Sequence, residues 1–366
     1  MEGENHLTLW KKVEIWLTDN LTRVSFVEKY LFVHHLQIMT NAGLSIVSSL
    51  HVLSQEVKNK KLKKIITNIK SEVETGKQLS EVLARYPKIF PRIYVSMIAA
   101  GEVAGKMEEA LAQISHQMKQ SQQISSKVRG AMIYPLIIII AMVGISIFVV
   151  FYILPKIMVM FDEMDVELPL ATRFLIALTK FAQNYWWLVL IVIGVAVASF
   201  TRLMKISGFK HAIHSLYLRL PIFGVIIKKI NLARFTLTLS SLLASTIPVV
   251  EAVRISSEVL GNVIFRDNLL AASEALKRGE SLSEVLSRYP RTFPPMVNEM
   301  IMVGEQSGKM ENMLSELSEY YNNEVETTMN NFTAVIEPVI ILLLGLGVAG
   351  IAVAVIMPMY SLAQNI

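Results

Sequence analysis

Three stretches of this chain carry almost no charge, and they limit what the rest of it can be. The first, MIYPLIIIIAMVGISIFVVFYIL, runs over residues 132–154. The second, YWWLVLIVIGVAVASF, begins at Tyr185 and is extended by Leu203 and Met204. The third, VIEPVIILLLGLGVAGIAVAVIM, runs over residues 335–357 with one carboxylate, Glu337, near its start. A helix crosses about 30 Å of hydrocarbon with about 20 apolar residues. A core helix of a soluble protein seldom stays apolar on every face. Three membrane-spanning helices are therefore expected at 132–154, 185–204 and 335–357. Tyr185, Trp186 and Trp187 suit an interfacial belt. The chain is 53% hydrophobic, and the excess sits in these stretches.

Lysine and arginine set the orientation. Lys119, Lys127 and Arg129 precede the first span. Lys156 and the acidic run Asp162, Glu163, Asp165 and Glu167 follow it. Arg202, Lys205, Lys210 and Arg219 follow the second. This bias places residues 1–131 and 205–334 in the cytoplasm and 155–184 on the periplasmic or extracellular side. The third span has no basic flank, so parity alone directs the short tail 358–366 outside. The polar start, MEGENHLTLWKK, has no apolar core with a small-residue cleavage site, so no cleavable signal is expected. Within residues 1–25, Leu7–Leu17 reads as an amphipathic segment lying on the bilayer, anchored by Trp10 and Trp16.

The chain also repeats itself. GKQLSEVLARYPKIFPRIYVSMIAAGEVAGKMEEALAQIS from Gly76 aligns without a gap on GESLSEVLSRYPRTFPPMVNEMIMVGEQSGKMENMLSELS from Gly279, a shift of 203 with about half the positions identical. The same shift maps Phe32 to Phe235, Leu36 to Leu239, Pro135 to Pro338 and Pro155 to Pro358. Residues 26–131 and 229–334 are thus two copies of one cytoplasmic unit, each leading into a span, with 205–228 as a connector. The second span returns the chain to the cytoplasm.

Each copy reads as helical. Met107, Leu111, Ile114 and Met118 fall on one helical face. YPKIFP and YPRTFP interrupt the helices, because proline lacks a donor and restricts its neighbour. Ser80 and Ser283 are expected as N-caps of the E-V-L runs. Strand alternation is nowhere sustained. The expected fold is an all-α membrane protein: two homologous cytoplasmic antiparallel helix bundles plus three transmembrane helices.

GEVAGKM at Gly101 and GEQSGKM at Gly304 resemble phosphate-binding loops only superficially. The spacing is one residue short of G-x-x-x-x-G-K-[ST], methionine replaces the metal-binding hydroxyl, and no strand precedes either copy. Gly101, Gly105, Gly304 and Gly308 are read instead as permitting a turn or close helix approach. Glu102 and Glu305 are placed near the start of the following helix, where the macrodipole favours negative charge. Together with Lys106 and Lys309 they are packing or partner-contact candidates.

No catalytic constellation emerges. The chain has no cysteine, which excludes thiolate chemistry and cysteine-based zinc sites. His34 and His35 are adjacent, so they point to different helix faces, and no metal site is assigned. Asp162–Glu167 lacks the spacing of a calcium loop and reads as a solvated, orientation-setting loop. Glu337 is a contact candidate, as an ionisable group inside a span. Gly194/Ala198, Gly345/Ala349 and Gly350/Ala354 are candidates for close helix packing. The basic run KNKKLKK over residues 58–64 becomes GNVIFRD in the second copy, so the shared fold does not need it. Lys60, Lys61, Lys63 and Lys64 are therefore candidates for contact with an acidic protein surface or anionic headgroups. The net charge of +5 is modest, and no nucleic-acid partner or cofactor is expected.

The doubled GExxGKM segment, the YP and EP openings of the spans, and LPLATRFLIALTKFAQNYWWL after the first span resemble the type II secretion F domain family from about Phe26 to the end. These are inner-membrane platform proteins of type IV pili and type II secretion systems. The resemblance implies a platform beneath a growing fibre, a partner hexameric cytoplasmic ATPase, pilin or pseudopilin subunits, other inner-membrane assembly proteins, self-association, and no catalytic site. The rival reading is a multi-span transporter subunit. Transporter repeats lie in the membrane around a midplane site, whereas these are mostly cytoplasmic.

Overall fold

The computed structural model describes residues 23–153, 155–156 and 170–364, and these are helical with no strand. The segment Leu7–Leu17 and the acidic run Asp162–Glu167 lie outside the described residues. In chain order the first copy comprises α1 (Phe26–Asn41), α2 (Ile46–Glu56), α3 (Lys60–Glu74), α4 (Leu79–Ala84), α5 (Arg92–Ala104) and α6 (Met107–Phe148), which continues as a π-helical turn over Val149–Ile153. Then come α7 (Leu170–Leu203) and α8 (Ser207–Arg219). The second copy comprises α9 (Phe223–Ala244), α10 (Val249–Val259), α11 (Val263–Lys277), α12 (Leu282–Ser287), α13 (Pro295–Ser307) and α14 (Met310–Gln364).

The described residues through Ser126 form one compact unit with Ile227–Val325. The two copies are therefore packed together rather than separate. Consecutive helices from α1 to α5 and from α10 to α13 pack on one another, and α5 of the first copy touches α10 of the second. The core repeats with the sequence. Phe32, Leu36, Ile66, Leu79, Leu83, Phe90, Leu111 and Ile114 are buried, and so are their counterparts Phe235, Leu239, Leu269, Leu282, Leu286, Phe293, Leu314 and Leu317. Phe293 packs edge-on against Phe235 and Phe265 with ring centroids 5.4 and 5.5 Å away. The Tyr-Pro segments form the turns between α4 and α5 and between α12 and α13. Caps define the entries: Ser25 and Glu28 form a capping box on α1, and Asn59 and Asn262 cap α3 and α11.

The expected caps Ser80 and Ser283 are corrected. The helices start one residue earlier, at Leu79 and Leu282, so both serines lie inside the first turn. Ser281 is the N-cap of α12, its Oγ accepting from Glu284 N–H, and Gln78 holds the equivalent place without a side-chain bond.

The copies differ at one backbone position. Gly43, between α1 and α2, has φ of 85°, and its counterpart Thr246 has φ of 58°. A β-branched residue there is strained, by about 1–2 kcal/mol. Glycine would cost about 0.5–1 kcal/mol in unfolded-chain entropy. Relief outweighs that cost, so Thr246→Gly is expected to raise the denaturation midpoint. A lowered midpoint would show that the threonine is supported by contacts that offset its strain.

The second unit holds Lys127–Ile226 and the residues from Glu326 onward. Three helical segments are long and apolar enough to cross a membrane, at Met107–Ile153, Gln183–Leu203 and Met310–Gly350. Their apolar side chains face outward: Ile137, Ile140, Leu190, Ile193, Leu342 and Leu346 are all exposed. A hydrocarbon environment accounts for such a surface. Pro135 lies inside α6 without ending it, as proline can within a spanning helix. The helix α7 kinks at Tyr185, where φ is −122° and ψ 18°. A Cβ at Gly194, Gly345 or Gly350 would meet nothing within 4 Å, so these glycines serve no helix contact within the described residues.

Candidate functional site

The repeated G-E-x-x-G-K-M segment forms the same junction twice. α5 runs through Gly101 and Glu102 to Ala104, then closes at Gly105 with φ of 66°. α13 runs through Gly304 and Glu305 to Ser307 and closes at Gly308 with φ of 67°. The left-handed C-cap is the turn, since glycine has no Cβ to clash there. The inner glycines have a different task. A Cβ at Gly101 would lie 2.5 Å from Ala110 Cβ, and one at Gly304 would lie 2.9 Å from Met310 Cα. Here the two helices cross almost backbone to backbone.

Glu102 and Glu305 are not at the start of the following helix, as the dipole argument placed them. They sit in the last turn of α5 and α13 and reach back across the fold. The Glu102 carboxylate accepts from Leu79 N–H at 2.5 Å, Ser80 N–H at 3.1 Å, and the Ser80 hydroxyl. Glu305 accepts from Leu282 N–H at 2.6 Å, Ser283 N–H at 3.1 Å and the Ser283 hydroxyl at 2.5 Å. Each carboxylate thus satisfies the orphan donors at the N-terminus of a six-residue helix and faces its positive dipole end. Sequence reasoning missed this pairing because the partners lie 22 and 23 residues upstream. The serines are donors to this carboxylate instead of caps.

Lys106 pairs with Glu109 at 2.9 Å on the surface, and Lys309 is exposed. A Cβ at Gly105 or Gly308 would meet nothing within 4 Å, so no packed cradle closes on either glycine.

The basic run lies on α3, whose other face buries Leu62, Ile65, Ile66 and Ile69. Lys60, Lys63 and Lys64 are exposed and Lys61 is half-buried. Lys61 lines an open groove of about 550 Å³ with Arg23, Arg85, Tyr86 and Lys88; Arg85 is paired with Glu72 and Glu81, so Arg23 and Lys88 are what extend the positive surface past the run. Nothing in the sequence spacing links Arg85 and Lys88 to these lysines; the fold brings them together. Glu337 is exposed on α14.

Charged groups also join the copies. Arg92 of α5 reaches Glu251 at 3.0 Å and Glu258 at 3.6 Å on α10. Arg254 hydrogen-bonds Glu251, and with Arg92 nearby it holds that carboxyl below its usual range against the opposing effect of burial. The Asn322 amide donates to Gln120 at 3.2 Å, joining α14 to α6. His34 lies 3.1 Å from the Ser115 hydroxyl and stacks on Tyr30. No cluster of three or more metal-ligating side chains occurs among the described residues.

Two packed copies of a six-helix repeat with three apolar helices define an internally duplicated membrane protein. The sequence pattern of the family described as type II secretion system (T2SS), protein F, matches residues 32–155 and again 235–358. The two matches share the offset of the internal repeat and cover more than half the chain, which therefore belongs to this family. A type IV pilus assembly protein PilC of Myxococcus xanthus is 32% identical over 336 residues, 92% of this chain and 80% of the relative. Another of that name from Thermus thermophilus is 33% identical over 335 residues, 91% of this chain and 82% of its own length. A type II secretion system protein F of Aeromonas hydrophila is 33% identical over 337 residues, covering 92% and 86%.

Proposed function

We propose that this chain is an inner-membrane platform protein of a type IV pilus or type II secretion machine, coupling a cytoplasmic assembly ATPase to polymerisation of pilin or pseudopilin subunits. The observation that carries this reading is the joining of two cytoplasmic-type copies into one compact unit on a chain with three bilayer-length helices. Such a unit offers one rigid surface to a motor, and its chemistry is that of contact, with carboxylates spent on capping and cations on the surface. The similarity to proteins named for pilus assembly and secretion supports the same assignment. The positive flanks of the first two spans support a cytoplasmic N-terminus and cytoplasmic copies.

Deleting the gene is expected to abolish surface fibres or secretion while processed pilin subunits accumulate in the membrane. Restoring it with Lys60, Lys61, Lys63 and Lys64 all changed to glutamate should weaken motor docking at least tenfold without unfolding the unit, because like charges then meet where opposite charges steered contact. In this cysteine-free chain, Asp165→Cys should react with an impermeant thiol reagent in intact cells, with any outer membrane opened, and Lys277→Cys should not. Normal fibres and secretion in the deletion strain, with no second platform gene, would remove the assignment. Dependence of a small-molecule gradient on the gene would favour the transporter reading.

A further inference from the structure

Where the two copies meet, a cleft of about 530 Å³ is lined by Gln117, Ser121 and Ser125 of α6, Arg92 of α5, Arg234 of α9 and Glu258 of α10. Gln117, Ser121 and Ser125 recur every four residues, so they form a polar stripe along one helix face. One group around this cleft lacks a hydrogen-bond partner, and one cation lacks a counter-charge. The Gln117 side chain is 2% exposed, and its Oε1 has no hydrogen-bond partner. Arg234 makes no ion pair among the described residues, while Arg92 beside it is neutralised by Glu251 and Glu258. Burial pushes the Arg234 guanidinium below its usual pKa. A half-buried cation without a counter-charge and a buried acceptor without a donor are both costly.

The repeat shows how the two polar stripes differ. The 203-residue shift carries Ser121 onto Glu324 and Ser125 onto Thr328. In the second copy Glu324 reaches Lys229 at 2.5 Å, so the cation beside that stripe is neutralised from within the chain. In the first copy both members of that pair are replaced, Glu324 by Ser121 and Lys229 by Phe26, which also lines the cleft, and the cation there is Arg234, supplied by α9 of the other copy. Its own counterpart is Leu31, so the guanidinium is not part of what the two copies share.

We propose that the cleft between the copies is a binding site for a small soluble oxyanion, a phosphate or carboxylate group, held by Arg234 and the Ser121 and Ser125 hydroxyls, with Gln117 Oε1 accepting from a hydroxyl of the same molecule where it carries one. The volume suits a compact metabolite. A planar guanidinium with paired N–H donors matches either group. Because the cleft is lined by both copies, an occupant ties them together, and the seam that carries Arg92 and Glu251 becomes ligand-dependent.

The test uses the full chain in detergent, with inorganic phosphate and succinate titrated separately at constant ionic strength. At saturation either productive anion should raise the unfolding temperature by about 5 °C or more, and the more effective one identifies the group. Arg234→Gln should abolish the rise, which also removes general salting-in or salting-out effects as its cause. Ser121→Glu supplies the carboxylate that Glu324 provides in the other copy. It should raise the unfolding temperature without anion and erase the response to anion. As a check independent of variant folding, the wild-type chain should broaden the phosphorus resonance of phosphate, with succinate competing if carboxylates share the site. No response to either anion, or a response that survives Arg234→Gln, overturns the proposal.

Discussion

Gly101→Val is expected to unfold the first copy, and Gly304→Val the second, while Lys106→Ala and Lys309→Ala leave stability and fold unchanged. The order follows from what each position meets. Even a single methyl at Gly101 would lie 2.5 Å from Ala110 Cβ and 3.2 Å from the Lys106 carbonyl oxygen; at Gly304 it would meet Met310 Cα at 2.9 Å. The obstacles are backbone atoms and the first side-chain carbon, which cannot rotate aside. The two helices would have to separate, disturbing the buried Leu111 and Ile114 of α6. Overpacking of this kind costs about 3 kcal/mol or more, a large share of the stability of a domain. Gly105→Val should cost less, about 1–2 kcal/mol, because its strain is confined to φ and open space surrounds its Cβ. Thermal unfolding and limited proteolysis of the purified chain distinguish these outcomes. A phosphate-binding loop would reverse them: lysine replacement would abolish nucleotide binding in a folded chain. Measurable nucleotide binding lost in Lys106→Ala would sink the junction reading.

What the sequence disclosed and what it hid divide along contact distance. The spans were legible because each is a local run. The helix around Leu111, Ile114 and Met118 is legible because periodicity is local too, and the shift of 203 pairs Phe32 with Phe235 and Leu36 with Leu239, which are buried alike. The role of Glu102 was hidden, since a carboxylate in a helix has no local mark of a partner 23 residues upstream. The glycine spacing does not tell the two helix ends apart: Gly101 lies inside α5, and Gly105 supplies the left-handed turn. Ser80 was misplaced for a related reason: its hydroxyl has cap chemistry, but a stronger acceptor from α5 already occupies that helix end. The ion pairs of Arg92 with Glu251 and Glu258 join residues more than 150 positions apart, and no pattern in one sequence pairs them. Arg234 and Gln117 became noticeable only once folding had placed both in one cleft.

Replacing Glu102 with alanine is expected to release α4 from the first copy, and Glu305→Ala to release α12 from the second. A six-residue helix has no stability of its own, because nucleation costs more than so few hydrogen bonds return. α4 holds its place through Leu79, Val82 and Leu83, all buried, and through the carboxylate at its N-terminus. Without that carboxylate, the Leu79 and Ser80 N–H groups and the Ser80 hydroxyl lose their acceptor in a half-buried setting. Loss of charge-assisted bonds and of a cap together costs about 2–4 kcal/mol. Glu102→Gln keeps the shape but turns an NH2 toward groups that are themselves donors, so it should recover only part of the loss. Glu102→Asp is one methylene too short to span the gap. Hydrogen exchange gives the readout: amides of α4 should lose protection while those of the α5–α6 junction keep it, and Glu305→Ala should produce the same pattern on α12 without disturbing α4. The symmetry matters, because a partner-contact role gives no reason for the two copies to respond alike. If Glu102→Ala leaves α4 protected but abolishes motor docking, the carboxylate belongs to the interface with the partner, and the bonds to Leu79 and Ser80 are incidental to its function.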